Sequence, residues 1–197
     1  MVGQRDCQPR MKRVAIFGNA GGGKSTLARE LAAITGLPLH VVDMLEFRPG
    51  GAPVPPEEYV RAHGALIAGE EWIIDGYGGK TVWERLDAAD TLIHVDLPLA
   101  AHAIGVTKRL VKGLLSPPPG WPEGSPVIAS SLSSYRVLWP CNRHLTPKYR
   151  SYVSGVAQEK RIVHLRSRRQ IAEFLEATNR EVSSGRPNAA QQKGSTL

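Results

Sequence analysis

Eight residues near the start of the chain have the types and spacing to hold phosphate: Gly18-Asn19-Ala20-Gly21-Gly22-Gly23-Lys24-Ser25, a complete G-x-x-x-x-G-K-[ST] run followed by Thr26. Glycines let a backbone turn tightly and aim successive N–H groups at one anion. Lys24 would reach the β- and γ-phosphates of a nucleoside triphosphate, and the Ser25 hydroxyl would ligate Mg²⁺. Gly18 to Thr26 are therefore the candidate nucleotide-binding residues, with ATP and Mg²⁺ as the ligands they imply.

A phosphate loop of this kind needs a second oxygen donor for its metal, an acid at the end of a neighbouring apolar strand. Asp75 fits, with Ile73 and Ile74 before it and Gly76-Tyr77-Gly78-Gly79 after it, so Ser25 and Asp75 form the candidate metal pair. Asp43 closes another short apolar stretch and is read as the acid that orients or deprotonates a hydroxyl nucleophile. Asp96 ranks third, and a strand-end cap bonding loop amides is its better reading.

Phosphoryl transfer also needs cations at the transferring group and the exclusion of water. From Lys108 to Arg169 the chain carries twelve Lys or Arg against two acids, Glu123 and Glu159, so most of the net charge of +7 lies there. Arg109 precedes a Pro/Gly-rich stretch and Arg136, Arg143, Lys148 and Arg150 follow it, a pattern suited to a closing lid. Lys24, Asp43, Asp75 and Arg109 are the catalytic candidates. The same basic cluster would also suit a polynucleotide backbone or a solvated face. Its aromatics are not interleaved with the cations, so no stacking platform for single strands is indicated.

Two rival readings fail on spacing. Asp43 lies where a ribose-binding acid would follow a dinucleotide loop, yet Gly18, Gly21 and Gly23 do not fall on G-x-G-x-x-G. Asp75-Gly76-Tyr77-Gly78 matches the D-x-x-G of GTPases, but no N-K-x-D guanine motif follows. The histidines at 40, 63, 94, 102, 144 and 164 lack metal-ligand spacing, and His40, His94 and His164 fall inside strands as satisfied sheet residues. Trp72, Trp83, Trp121 and Trp139 read as packing residues.

The elements that must position these groups follow from apolar runs and breakers. Strands are expected at 13–17, 37–43, 72–76, 91–96 and 161–165. Helices are expected after the glycine loop to Gly36, from Glu57-Glu58, from a Thr81/Glu84 capping box, through 101–111, and from a Ser167/Gln170 capping box. Residues 116 to about 133 read as a mobile loop, with a helix at 135–139. Five strands alternating with helices imply a parallel sheet covered on both faces, with ligands beyond the strands' carboxyl ends.

The 197 residues are 42% hydrophobic and 22% charged, values for one globular domain. Residues 1–11 are expected to be a flexible extension, with Met11 placed where a shorter chain would start. Residues 12–178 form the folded domain with a lid over about 108–150, and the polar segment 179–197 is a disordered tail. With no apolar run of membrane-spanning length or signal-peptide type, and only Cys7 and Cys141, a cytoplasmic protein is expected.

The stretches from Phe17 to Ala28, Trp72 to Tyr77, Ala89 to Pro98 and Val163 to Arg168 together resemble the adenylate-kinase-like P-loop proteins, nearest the DNA topology modulation (FlaR-related) branch. That resemblance implies a three-layer α/β P-loop NTPase fold like the nucleoside monophosphate kinases, with a five-stranded parallel sheet in the order 2-3-1-4-5. Gly18, Gly23, Lys24, Ser25 and Asp75 match its shared pattern. Where adenylate kinases have Pro-Arg after Asp-Gly-Phe/Tyr, this chain has Gly78-Gly79-Lys80, and Leu99 stands where relatives often have Arg. The expected activity is transfer of the γ-phosphoryl of MgATP to a small-molecule or nucleotide acceptor. The alternative is a nucleotide-binding regulatory ATPase acting through a nucleic-acid or protein partner.

Overall fold

The computed structural model describes residues 11–46, 48, 52–76, 79–115 and 127–185. Its centre is β1 (Arg13–Gly18), an apolar run buried from Val14 onward. Neither face of β1 meets water, which is why its sequence shows no polar alternation. The sheet is completed by β2 (Leu39–Val41), β3 (Trp72–Asp75), β4 (Thr91–Val95) and β5 (Arg161–Leu165), in the order β2-β3-β1-β4-β5. All four pairings are parallel, with Val14 opposite both Ile73 and Thr91, and Phe17, His94 and His164 in one row across three strands. The expected α/β class and strand order 2-3-1-4-5 are the ones observed.

The strands' alternate side chains divide the core. Val14, Ile16, Ile73, Ile93 and Val95 pack with Leu27, Ala28 and Leu31 of α1 (Lys24–Thr35) and Leu175 of α7 (Arg168–Gly185). On the opposite face Ala15, Phe17, Trp72, Ile74 and Leu92 pack against Val82 and Leu86 of α3 (Val82–Ala88) and Tyr149 and Val153 of α6 (Thr146–Gly155). Leu66 and Ile67 of α2 (Pro56–Ile67) join this second layer. Both α1 and α7 follow a parallel strand and return along the same face, so their N-termini lie at one edge of the sheet.

The remaining helices form the region expected to be a lid. They are α4 (Leu99–Leu115) and α5 (Val127–Pro140), and α5 runs through a π turn at Cys141–Leu145 into α6. The helix expected at 135–139 begins earlier, at Val127, overturning the loop expected there up to about 133. Residues 116–126 lie outside the described residues. Pro140 can give no N–H to α5, and the chain widens into the π turn directly after it.

Other boundaries move for local reasons. Asp43 does not end a strand; β2 stops at Val41 and Asp43 sits in a 3-10 turn, Val42–Leu45. The Thr81/Glu84 capping box does not form: Thr81 is the last residue of a 3-10 turn, Gly79–Thr81, and its hydroxyl pairs with Tyr59 Oη at 3.3 Å. At α7 the Gln170 N–H donates to Ser167 Oγ at 3.1 Å, while Gln170 Oε1 accepts from the Arg166 N–H, one residue before the box position. That helix continues to Gly185, past the expected boundary at 178, with Thr178 buried and its hydroxyl donating to the Phe174 carbonyl. Residues 1–10 and 186–197 lie outside the described residues. Among the described residues no helix is long and apolar enough to cross a membrane.

Candidate active site

The glycine run leaves β1 at its carboxyl end and enters α1 at Gly23, which caps the helix with φ 86° and contributes no side-chain cap. The first N–H groups of a helix have no intrahelical acceptor, so this end carries free donors and the positive end of the helix dipole. Lys24 is half-buried and folds back to donate from Nζ to the Asn19 carbonyl at 2.9 Å. Ser25 and Thr26 are exposed. The first turn of α1 is thus open to solvent, while Gly18 to Lys24 are buried or half-buried, with the lysine held on a backbone acceptor.

Two elements hold the loop in shape. Asn19 is buried; its Oδ1 accepts from the Ala20 N–H at 2.8 Å and its Nδ2 donates to the Leu138 carbonyl of α5 at 3.0 Å. From the other side, His102 of α4 donates from Nδ1 to the Ala20 carbonyl at 2.8 Å, since a carbonyl can only accept. Burial lowers the His102 pKa, as do the charges of Lys24 and Arg168, against the raising effects of the Ala20 hydrogen bond and Asp96. The loop therefore touches both α4 and α5.

The α4 contact depends on two glycines. Gly21 has φ 73°, and a Cβ on it would stand 2.2 Å from the His102 carbonyl oxygen; a Cβ on Gly105 would stand 1.9 Å from the Gly21 carbonyl oxygen. Neither backbone atom can give way without moving the loop. Gly105→Ala is expected to cost about 1–3 kcal/mol in urea unfolding and to weaken ATP binding in the surviving fold. An unchanged midpoint and affinity would show that the loop accommodates the methyl group.

On the other side of β1, β3 ends in Asp75, buried to 1% exposure, and neither of its carboxylate oxygens has a hydrogen-bond partner among the described residues. Asp43 is brought beside it: Val41 lies opposite Asp75 in the β2–β3 register, and Asp43 Oδ1 lies 2.8 Å from where a Cβ on Gly76 would sit. Gly76 has φ 125°, so the chain after Asp75 requires glycine both for its conformation and for this contact. Lys24, Ser25, Asp43 and Asp75 all stand at the carboxyl edge of the sheet. Tyr77 and Gly78, and the side chain of Lys80, lie outside the described residues.

Arg85 is the residue that sequence reasoning missed here. Its side chain is fully buried in α3, donates from Nη2 to the Gly76 carbonyl at 2.9 Å, and leaves Nε and Nη1 without partners among the described residues. Burial lowers its pKa, while the negative fields of Asp75, Tyr149, Tyr59 and Asp43 raise it, so it is a buried cation facing the acids of the site. His63 of α2 is also fully buried, stacks on Tyr59 at 6.1 Å, and has its pKa lowered by burial and then by Arg85. No sequence signal distinguishes Arg85 from the exposed arginines, because it lies outside the basic cluster.

Arg109 is half-buried on α4, bonds Ser134 of α5, and leaves Nε buried without a partner among the described residues. Burial lowers its pKa and the field of Asp43 raises it. Arg136, Arg143 and Lys148 are exposed. Leu99, at the position where relatives often have Arg, begins α4 half-buried.

Arg150 and Asp96 depart from expectation together. Asp96 does not cap loop amides: Arg150 donates to it from Nε at 2.8 Å and Nη2 at 2.9 Å, and His164 donates from Nε2 at 2.8 Å. Arg166 donates to His164 Nδ1 at 3.3 Å, which leaves Nε2 as the ring nitrogen that donates to Asp96. His94, expected to be satisfied, stacks between Phe17 and His164 with both nitrogens unpartnered among the described residues. Burial brings it down to about 4, so it stays neutral near pH 7. His94, Asp96 and His164 offer ligand atoms within 4.8 Å of one another, a grouping that linear spacing could not show, but Asp96 is already occupied by Arg150.

Burial raises the Asp96 pKa, and the hydrogen bonds from Arg150 and His164 outweigh it, bringing the group down to about 2. A carboxyl whose folded pKa is depressed adds stability above its unfolded pKa and loses it as pH falls through the folded value. Wild-type stability should therefore fall between about pH 4 and pH 2, and Asp96→Asn should flatten that part of the profile. Parallel profiles in acid unfolding would rule out Asp96 as a contributor.

Trp72 is buried and Trp83 packs on Tyr149 and Tyr152, but Trp139 is 60% exposed on α5 and is no packing residue; Trp121 lies outside the described residues. Cys141 is a buried free thiol.

No protein-family model and no curated protein matches this chain. Among solved structures it is similar to a gluconokinase from Sinorhizobium meliloti 1021, at 15% identity over 88% of this chain and 92% of that one, TM-score 0.43. A sugar kinase from Janibacter sp. HTCC2649 shows 17% identity over 89% and 94%, TM-score 0.38. A shikimate kinase from Acinetobacter baumannii in complex with shikimate shows 14% identity over 88% and 94%, TM-score 0.47. All three are kinases, but likeness at that level decides nothing about the chemistry of this site.

Proposed function

We propose that this chain is a MgATP-dependent kinase that phosphorylates a small-molecule or nucleotide hydroxyl, of the adenylate-kinase-like P-loop type. The observation that carries this reading is Asp75, a buried carboxylate with both oxygens unpartnered among the described residues, at the end of the strand beside the glycine loop. A buried polar group left without a partner is costly, so such a group in a folded site calls for a ligand. A serine hydroxyl and a carboxylate are hard oxygen donors suited to Mg²⁺. Ser25 and Asp75 would hold that ion, which when bound neutralises charge on the phosphates.

The chain's own residues then divide the work. The N–H groups of the loop and of the first turn of α1 receive the phosphates, and Lys24 exchanges the Asn19 carbonyl for the β- and γ-phosphates. Asp43, against Gly76, orients the acceptor hydroxyl and takes its proton. Arg109 approaches from the lid side, where closure excludes water. With Gly78-Gly79-Lys80 in place of an adenylate-kinase Pro-Arg, an acceptor other than AMP is favoured.

The test is ADP formation from MgATP across nucleoside monophosphates and small hydroxyl compounds. Turnover that requires an added acceptor supports the kinase and identifies its substrate class. If no compound raises ADP above the acceptor-free rate, and salt-sensitive DNA binding persists in Lys24→Ala, the regulatory ATPase becomes the better account.

A further inference from the structure

The loop has a second cation beside it that comes from the far end of the chain. Arg168, the first residue of α7, places Nη1 3.8 Å from where a Cβ on Gly23 would sit. Its position follows from packing already described: α1 and α7 share one hydrophobic layer, and the Ser167–Gln170 hydrogen bond fixes where α7 begins.

The neighbours of Arg168 are already engaged, Arg166 with His164 and Arg169 from Nε to Glu173 at 2.6 Å. Arg168 is exposed and has no hydrogen bond or ion pair among the described residues. A guanidinium held beside Gly23 with no acceptor of its own meets an uncapped helix N-terminus, which adds further positive potential. Both features repel other cations and suit a polyanion.

We propose that Arg168 is a nucleotide-binding residue that grips the phosphate chain of ATP or ADP from the β5–α7 side, beside Gly23. The inference rests on the nucleotide reading of the loop. Lys24 is placed for the transferring end of the chain, whereas Arg168, beside the start of α1, binds substrate and product alike. It therefore contributes uniform binding, which appears in KM and not in kcat.

The test measures Kd for ATP, ADP and adenosine, with steady-state KM and kcat, in wild type, Arg168→Gln, Arg168→Lys, Arg169→Gln and Lys24→Ala. Loss of a charge-assisted contact should weaken ATP and ADP each about tenfold in Arg168→Gln, with kcat within about twofold and adenosine unchanged. Arg168→Lys should recover part of the affinity, and Arg169→Gln should behave as wild type. Wild-type ATP and ADP affinities in Arg168→Gln would overturn the inference while leaving a Lys24-dependent nucleotide site standing. A fall in kcat at constant KM would also overturn it, by placing the residue on the transferring group. If wild type binds no nucleotide, the reading of the loop fails and this inference with it.

Discussion

Replacing Lys24 with alanine is expected to reduce ATP turnover about 10³-fold while leaving the fold in place. Phosphoryl transfer spreads charge over the oxygens of the transferring group, and a protein accelerates it mainly by holding cations there in a site that excludes water. Lys24 is a cation within the loop itself, and its single described contact is the hydrogen bond to the Asn19 carbonyl. Removing it should cost about 1 kcal/mol or less of stability, because the position opens a helix that tolerates alanine. Initial rates with the best acceptor, alongside a thermal melt, separate the two effects. A variant with normal stability and near-normal turnover would show that the loop is a structural turn.

The largest stability effect is expected at Arg85. In Arg85→Met the buried guanidinium is replaced by an apolar chain, and Asp75 and Asp43 lose the buried cation that faces them. Arg85 and Asp75 make no direct ion pair, but leaving Asp75 as a buried charge without its facing cation should cost up to about 3–5 kcal/mol, and the Gly76 carbonyl loses its donor as well. Pairing the change with Asp75→Asn should recover part of the loss, because the uncompensated charge is then gone. Urea unfolding of the two single variants and the double gives the coupling directly. Additive losses would mean that Arg85 serves only the Gly76 carbonyl and its own packing.

How far the site could be read in advance varied with how local its parts are. The glycine run, Lys24 and Ser25 form one contiguous stretch whose job follows from backbone geometry, and its strand and helix flanks were equally plain. Asp75 was legible because an apolar strand followed by glycines marks both its burial and its place at the carboxyl edge. Asp43 is expected at the end of a strand and stands instead in a 3-10 turn near Gly76, since a three-residue strand and a 3-10 turn share one apolar pattern. The start of α5 is not legible because Ser and Pro around it read as loop; the described contacts of α5 with α4 and the glycine loop come from its second half, Ser134 to Leu138. The arginines of the basic cluster are grouped by charge alone, and charge does not say that Arg150 holds Asp96 while Arg168 has no hydrogen-bond or ion-pair partner among the described residues.

The sequence by itself determined the parallel sheet and the phosphate-loop motif, because hydrophobic period and glycine spacing are local properties that fix local backbone. Its resemblance to P-loop kinases supplied the strand order. Only the tertiary structure decided which polar groups share a partner: Arg85 with Gly76, Asn19 with Leu138, His102 with Ala20, Arg168 beside Gly23. Those pairs join segments up to 145 positions apart, taking Arg168 and Gly23 as 168 minus 23. Whether a charge is buried or solvated depends on the helix packed over it, and no stretch of the chain carries that information alone.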